Sequence, residues 1–116
     1  MSKEINTIVA LCDFNIINTV CEDIAVSKTN IEVSELLIEE LSELIKAVLK
    51  LERWNNGATT LRYNIDEISN NLYEELGDVI IMMLQFIHKN NIECEKILNK
   101  MCEKLIVIKV EGVINE

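Results

Sequence analysis

A chain of 116 residues is long enough for one domain with a hydrophobic core and too short for two. Hydrophobic residues make up 49% and aromatics only 4%, so the core must be built from thin aliphatic layers of Ile, Leu and Val. The formal net charge of −9 argues against a nucleic-acid polymer or an anionic membrane as a direct partner, and an anionic ligand such as a nucleotide would need a cation between it and the protein.

The first predicted helix covers roughly residues 4 to 25, with Ile5, Ile8, Val9, Cys12, Ile16 and Val20 near a 3.6 period. Its start carries Lys3 and Glu4, and Asp13 cuts the apolar stretch, which makes a poor signal peptide. The segment Ser27-Lys28-Thr29-Asn30 breaks that helix. Thr29 followed by Glu32 reads as a capping box and opens a second helix that runs to about Trp54.

The run Asn-Asn-Gly-Ala-Thr-Thr at 55–60 is the clearest loop. Asn64 with Glu67 is a second capping signature and starts a third helix ending near His88. Lys89-Asn90-Asn91 makes a short turn, and Asn90 with Glu93 suits the cap of a fourth helix from about Ile92 to Val107. The tail from Ile106 alternates in a way that fits a short strand as well as a fraying helix.

The second and third helices are apolar on more than one side, and a helix of that kind is buried on most sides. Four helices from so short a chain cannot cover them alone, so a homodimer or homotetramer is expected. The apolar run from Val79 to Ile87 falls far short of the ~20 residues that cross a bilayer. The four cysteines, Cys12, Cys21, Cys94 and Cys102, are scattered, with no CxxC and no grouping with His88. The chain therefore reads as soluble and cytoplasmic rather than as a zinc protein.

Acidic residues three apart occur at Glu32/Glu35, Glu40/Glu43 and Glu75/Asp78. The first pair lies in a helix's first turn, where acids suit the dipole. The other two sit mid-helix at the border of apolar faces, beside Leu41, Leu44, Leu76 and Val79. Residues three apart project from one side, with Cβ atoms ~5–6 Å apart. If the two helices face each other, four carboxylates converge, and each like-charge contact at ~6 Å costs about 3 kcal/mol at an effective dielectric near 20. A hard divalent cation removes that conflict, and Mg²⁺ is typically held by carboxylates together with substrate phosphates. The alternative is that all four acids are solvated edge residues. Ala47 leaves room one turn beyond Glu43, and Gly77, costing ~1 kcal/mol relative to alanine in a helix, suggests a close helix approach.

With those residues in view, Glu39-Glu40-Leu-Ser-Glu43-Leu-Ile-Lys46-Ala47 followed by Glu74-Glu75-Leu-Gly-Asp78-Val-Ile resembles the ExxE…ExxD signature of the all-α nucleoside triphosphate pyrophosphohydrolases, the MazG-like superfamily. That superfamily includes dimeric dUTPases and phosphoribosyl-ATP pyrophosphohydrolases. The likeness spans about residues 30–105 of what reads as one domain over 1–116. It implies an all-α four-helix bundle, oligomerising through its central helices, that uses Mg²⁺ (with Mn²⁺ as a substitute) to cleave a nucleoside triphosphate between its α- and β-phosphates. Matched residue by residue, it places metal ligation on Glu40, Glu43, Glu75 and Asp78. It leaves the general base open, with Glu43 preferred and Glu39 as an outer contributor.

Two departures from the pattern stand out. The 31 residues between Glu43 and Glu75 are many, and Leu105 and Ile108 stand where the family's last helix tends to be polar. Lys46, Lys50 and Arg53 follow Glu43 along the helix and could meet phosphate oxygens, with Lys100 and Lys104 contributing from the last helix. Trp54 could stack on a base, although a tryptophan closing an apolar helix is more often core. His88 as a phosphotransfer residue would leave the carboxylates unexplained, and no Glu-x-x-His pair exists for a di-iron site. The rival to an enzyme is a non-catalytic helical oligomer with a regulatory role.

Overall fold

A computed structural model describes residues 13–57 and 64–115. Among them are four helices and no strand: α1 (Phe14–Val26), α2 (Asn30–Asn55), α3 (Ile65–Lys89) and α4 (Cys94–Asn115). The expected first turns of the first helix, with Ile5, Ile8, Val9 and Cys12, lie outside the described residues, as do 58–63 of the long loop.

The helix starts follow from side-chain chemistry. Thr29 Oγ1 accepts from the Glu32 backbone N–H at 3.1 Å, and Asn64 Oδ1 accepts from the Glu67 N–H at 2.8 Å. Each satisfies a donor that the helix geometry leaves without an internal partner. Asp13 corrects the expectation of one helix through residues 4 to 25: its backbone is extended and it caps α1 by accepting from the Ile16 N–H at 3.0 Å.

The turn after α3 corrects the expected cap of the fourth helix. Asn90 closes α3 instead, its Nδ2 donating to the Phe86 carbonyl at 2.9 Å. Asn91 then takes φ +53°, and the Ile92 N–H donates to the Ile87 carbonyl at 3.0 Å. This is a Schellman-type ending, in which asparagine supplies the left-handed residue. Beyond it, the ambiguous tail is helical to Asn115. With no neighbouring strand to pair with, a helix is the conformation in which that segment can satisfy its own backbone groups.

α2 and α3 form the main packed pair. Glu40 lies by Glu75 and Asp78, while Lys50 lies by Glu67 and Asn71, so the two helices run in opposite directions. α1 packs across the second half of α3. Cys21, Ala25, Val33, Ala47, Ile68, Val79, Met82 and Leu84 make the core between these helices. Its buried polar residue, Gln85, accepts at Oε1 from Lys28 Nζ at 3.1 Å, which keeps it from being an unsatisfied group. His88 Nε2 hydrogen-bonds Asn18 Oδ1 at 2.8 Å and ties α1 to α3, a structural role that needs no phosphotransfer.

Two expectations about packing are corrected. A Cβ on Gly77 would meet nothing within 4 Å among the described residues, so no close helix approach explains that glycine within one chain. Trp54 does not close the core: it is 39% exposed at the end of α2. No described helix is long and apolar enough to cross a membrane.

Candidate metal centre

The antiparallel register of α2 and α3 converts sequence spacing into a site. On α2, Glu40, Glu43, Ala47, Lys50 and Trp54 recur every three or four residues and so share one side of the helix. On α3, Asn71, Glu75 and Asp78 do the same. Ala47, fully buried, is the small residue where α2 meets α3. Glu40 therefore comes to stand opposite Glu75 and Asp78.

One carboxylate oxygen from each of Glu40, Glu75 and Asp78 lies within 4.8 Å of the others. Glu40 and Glu75 are half-buried and Asp78 is exposed. The Oε2 atom of Glu75 is shielded from water and has no hydrogen-bond partner among the described residues. A buried carboxylate oxygen left that way is costly unless a cation compensates it. The Glu40 carboxyl is held above its ordinary range, first by loss of hydration and then by the charges of Asp78, Glu75, Glu39 and Glu43.

These residues fit a hard divalent ion. All donors are oxygens, as Mg²⁺ and Mn²⁺ prefer, and the three lie within 4.8 Å of one another, near enough for small side-chain adjustments to bring them onto one ion. An orphaned, buried carboxylate oxygen is the local observation that distinguishes this cluster from an ordinary acidic edge.

The other sequence-predicted residues are placed as follows. Glu43 is one turn along α2 and outside the three-carboxylate group, paired with Lys46 Nζ at 3.3 Å. That pair is exposed on both sides. Glu39 is exposed beside the cluster. Lys50 borders a groove with Glu67, Ile68 and Asn71, further along the same α2–α3 cleft. Lys46 and Arg53, seven residues apart, share the flank of α2 rather than the groove face. Lys100 and Lys104 are on α4, which makes only marginal contact with the other described helices, and Lys100 pairs with Glu103 at 3.5 Å. Within one chain they are not brought to the carboxylates.

Asn71 is the groove residue that the sequence reading missed. Its signal was available: it precedes Glu75 by four positions, so the same periodicity that grouped the acids also includes it.

A family model described as MazG nucleotide pyrophosphohydrolase domain matches residues 28–109, which include all of α2, α3 and the carboxylate cluster. No curated protein and no solved structure gives a significant match.

Proposed function

The chain belongs to the family of MazG nucleotide pyrophosphohydrolase domains, which matches it over well more than half its length, and on that footing we propose that it hydrolyses a nucleoside triphosphate between the α- and β-phosphates. The products are the nucleoside monophosphate and pyrophosphate. The observation that carries this reading is the convergence of Glu40, Glu75 and Asp78 within 4.8 Å, with Glu75 Oε2 buried and unpartnered.

In this reading Glu40, Glu75 and Asp78 hold Mg²⁺, with Mn²⁺ able to replace it. When bound, a divalent ion offsets the charge on phosphate oxygens and makes the phosphorus easier to attack. Glu43 is the assigned general base or fourth ligand, positioned one turn away and released from Lys46 when an anion takes that lysine's charge. As base it accepts the proton of the attacking water. Glu39 is an outer contributor. Lys50 lies along the groove in line with the cluster and meets phosphate oxygens, with Lys46 and Arg53 on the flank. Trp54, partly exposed at the far end of the same face, is available to stack on a base.

A homo-oligomer is part of the proposal. Leu41, Ile45, Val48 and Leu49 on α2 and Leu76, Ile80 and Met83 on α3 are all at least 40% exposed, more apolar surface than a monomer normally leaves open. A cytoplasmic setting agrees with the described cysteines, Cys21, Cys94 and Cys102, all being unpaired.

The test is pyrophosphate release from a panel of canonical and modified nucleoside triphosphates, with and without Mg²⁺. Release should require the ion, and Glu40→Gln or Asp78→Asn should abolish it while the protein still melts cooperatively. Unchanged turnover in both variants rules the reading out. Glu43→Gln separates its two roles: a base loses turnover and keeps metal binding, whereas a ligand loses both.

A further inference from the structure

The groove beside the carboxylates has a polar pattern of its own. Lys50 on α2 and Glu67, Ile68 and Asn71 on α3 line a cavity of about 360 Å³. Ile68 is fully buried and makes its apolar floor. Glu67, Asn71, Glu75 and Asp78 recur every three or four residues, so one side of α3 carries both the groove and the cluster. By helix rise, Asn71 stands about 6 Å and Glu67 about 12 Å from Glu75.

A ligand whose phosphates lie at the carboxylates can extend along the α2–α3 cleft in two directions. Toward the start of α2 the way is filled: Val33, Met82 and Gln85 are buried there, and α1 packs across the second half of α3. Toward Lys50 and Glu67 it is open. Trp54, one turn beyond Lys50, is partly exposed at that end. The groove therefore lies where a ribose and base follow the α-phosphate. The span from Glu75 to Glu67 matches the reach from a phosphate across the sugar to the far edge of a base.

The donors and acceptors of the groove decide which base suits it. An ionised Glu67 only accepts, whereas Asn71 both donates and accepts. A second acceptor set against Glu67 would leave both groups without a hydrogen bond. The ligand must therefore bring an N–H donor to Glu67. The exocyclic amino groups of cytosine and adenine are such donors, and each is flanked by a ring nitrogen that accepts from an amide such as Asn71. Uracil, thymine and hypoxanthine carry a carbonyl at the same place, which sets lone pair against lone pair.

We propose that Glu67 and Asn71 select nucleotides whose base carries an exocyclic amino group at its far edge, the cytosine and adenine class. Glu67 accepts from the amino N–H, and Asn71 donates to the adjacent ring nitrogen. The proposal rests on the hydrolase reading for which end of the ligand lies at the carboxylates, and it leaves Lys50 to the phosphates.

The test sets amino against carbonyl at that position, CTP with UTP and ATP with ITP, by initial rates of pyrophosphate release in Mg²⁺. Calorimetry on the full chain in Mg²⁺ adds the binding of CMP, UMP, AMP and IMP, which have no α–β bond to cleave. In at least one pair the amino member should lead at least tenfold in kcat/KM and in affinity, the range that a well-placed hydrogen-bonding pair provides. The pair that shows it identifies the ring. Glu67→Gln, whose amide donates as well as accepts, should bring that ratio below about threefold by improving the carbonyl member. Asn71→Ala should weaken binding of the amino member. Ratios near one in both wild-type pairs overturn the proposal whether or not the variants fold, and so does a preference that Glu67→Gln leaves intact. Equal hydrolysis of all four triphosphates is the failure of this proposal alone and leaves the hydrolase reading standing. No hydrolysis, with CMP or AMP still preferred in a way that Glu67→Gln removes, is the failure of the hydrolase reading alone. No hydrolysis and no mononucleotide binding overturns both.

Discussion

Replacing Glu75 by glutamine removes one charge from the carboxylate cluster while keeping the shape of the side chain, and its effect on stability should change sign with the metal. The three carboxylate oxygens lie within 4.8 Å of one another. At that distance and an effective dielectric near 20, each ionised pair repels by about 3.5 kcal/mol. Asp78 is exposed, so water and salt reduce its share to less than about 1 kcal/mol. Loss of hydration and the neighbouring acids hold the Glu40 carboxyl above its ordinary range, a shift in the direction that softens the remainder. A net gain of about 1–2 kcal/mol for Glu75→Gln in the metal-free protein is left after these reductions. For a domain of this size that is a rise in melting temperature of roughly 4–8 °C. The wild type, in contrast, should gain about 2.7 kcal/mol from Mg²⁺ at a hundred times its dissociation constant. The variant should gain little.

Thermal melts followed by circular dichroism in EDTA and in saturating Mg²⁺ therefore cross: the variant melts above the wild type without metal and below it with metal. If Glu75→Gln melts lower in EDTA and keeps the full Mg²⁺ shift, the cluster is neither strained nor a metal site, and the reasoning fails.

Gly77→Ala should stabilise the metal-free chain by about 1 kcal/mol, since an added Cβ meets nothing within 4 Å and alanine is the better helix former; urea midpoints check this, and a loss of oligomer mass would instead reveal a partner packed on that glycine. Ile68→Ala removes a fully buried side chain between the packed helices and should cost 2–5 kcal/mol in the same assay, on the usual scale for such truncations. Because the folded protein holds a proton on Glu40 more tightly than the unfolded chain does, that group's stabilisation is complete below the ordinary carboxylate range and is lost as pH rises through the raised value. In EDTA, then, the wild type should lose stability relative to Glu40→Gln as pH rises from the acid side, while Mg²⁺ affinity rises over the same window because the ion displaces that proton. A flat difference between the two proteins across that range would contradict the assignment.

The features that were legible in the sequence are those set by near neighbours along the chain. Thr29 with Glu32 and Asn64 with Glu67 cap helices because both partners lie within one turn. The approach of Glu40 to Glu75 and Asp78 was legible because two long apolar stripes can bury themselves only by packing together, which turns each stripe's border acids toward the other. Glu43 shows the limit. Spacing put it in the set, but its side chain also has Lys46 within reach three residues on, and a local ion pair takes it. Gly77 and Trp54 were misread for a related reason, since a residue type suggests packing without saying whether anything lies opposite. α4 was the least legible. Its pattern shows that one face is apolar, and that pattern is the same whether the covering surface belongs to this chain or to another.

The most direct measurement is Mn²⁺ binding followed by electron paramagnetic resonance, in the wild type and in Glu40→Gln, Glu75→Gln and Asp78→Asn. Binding should be present in the wild type and weakened at least tenfold in each variant, with every protein still folded. Wild-type protein that leaves all the Mn²⁺ free, or three variants that bind as it does, would contradict the claim that α2 and α3 share a metal ion.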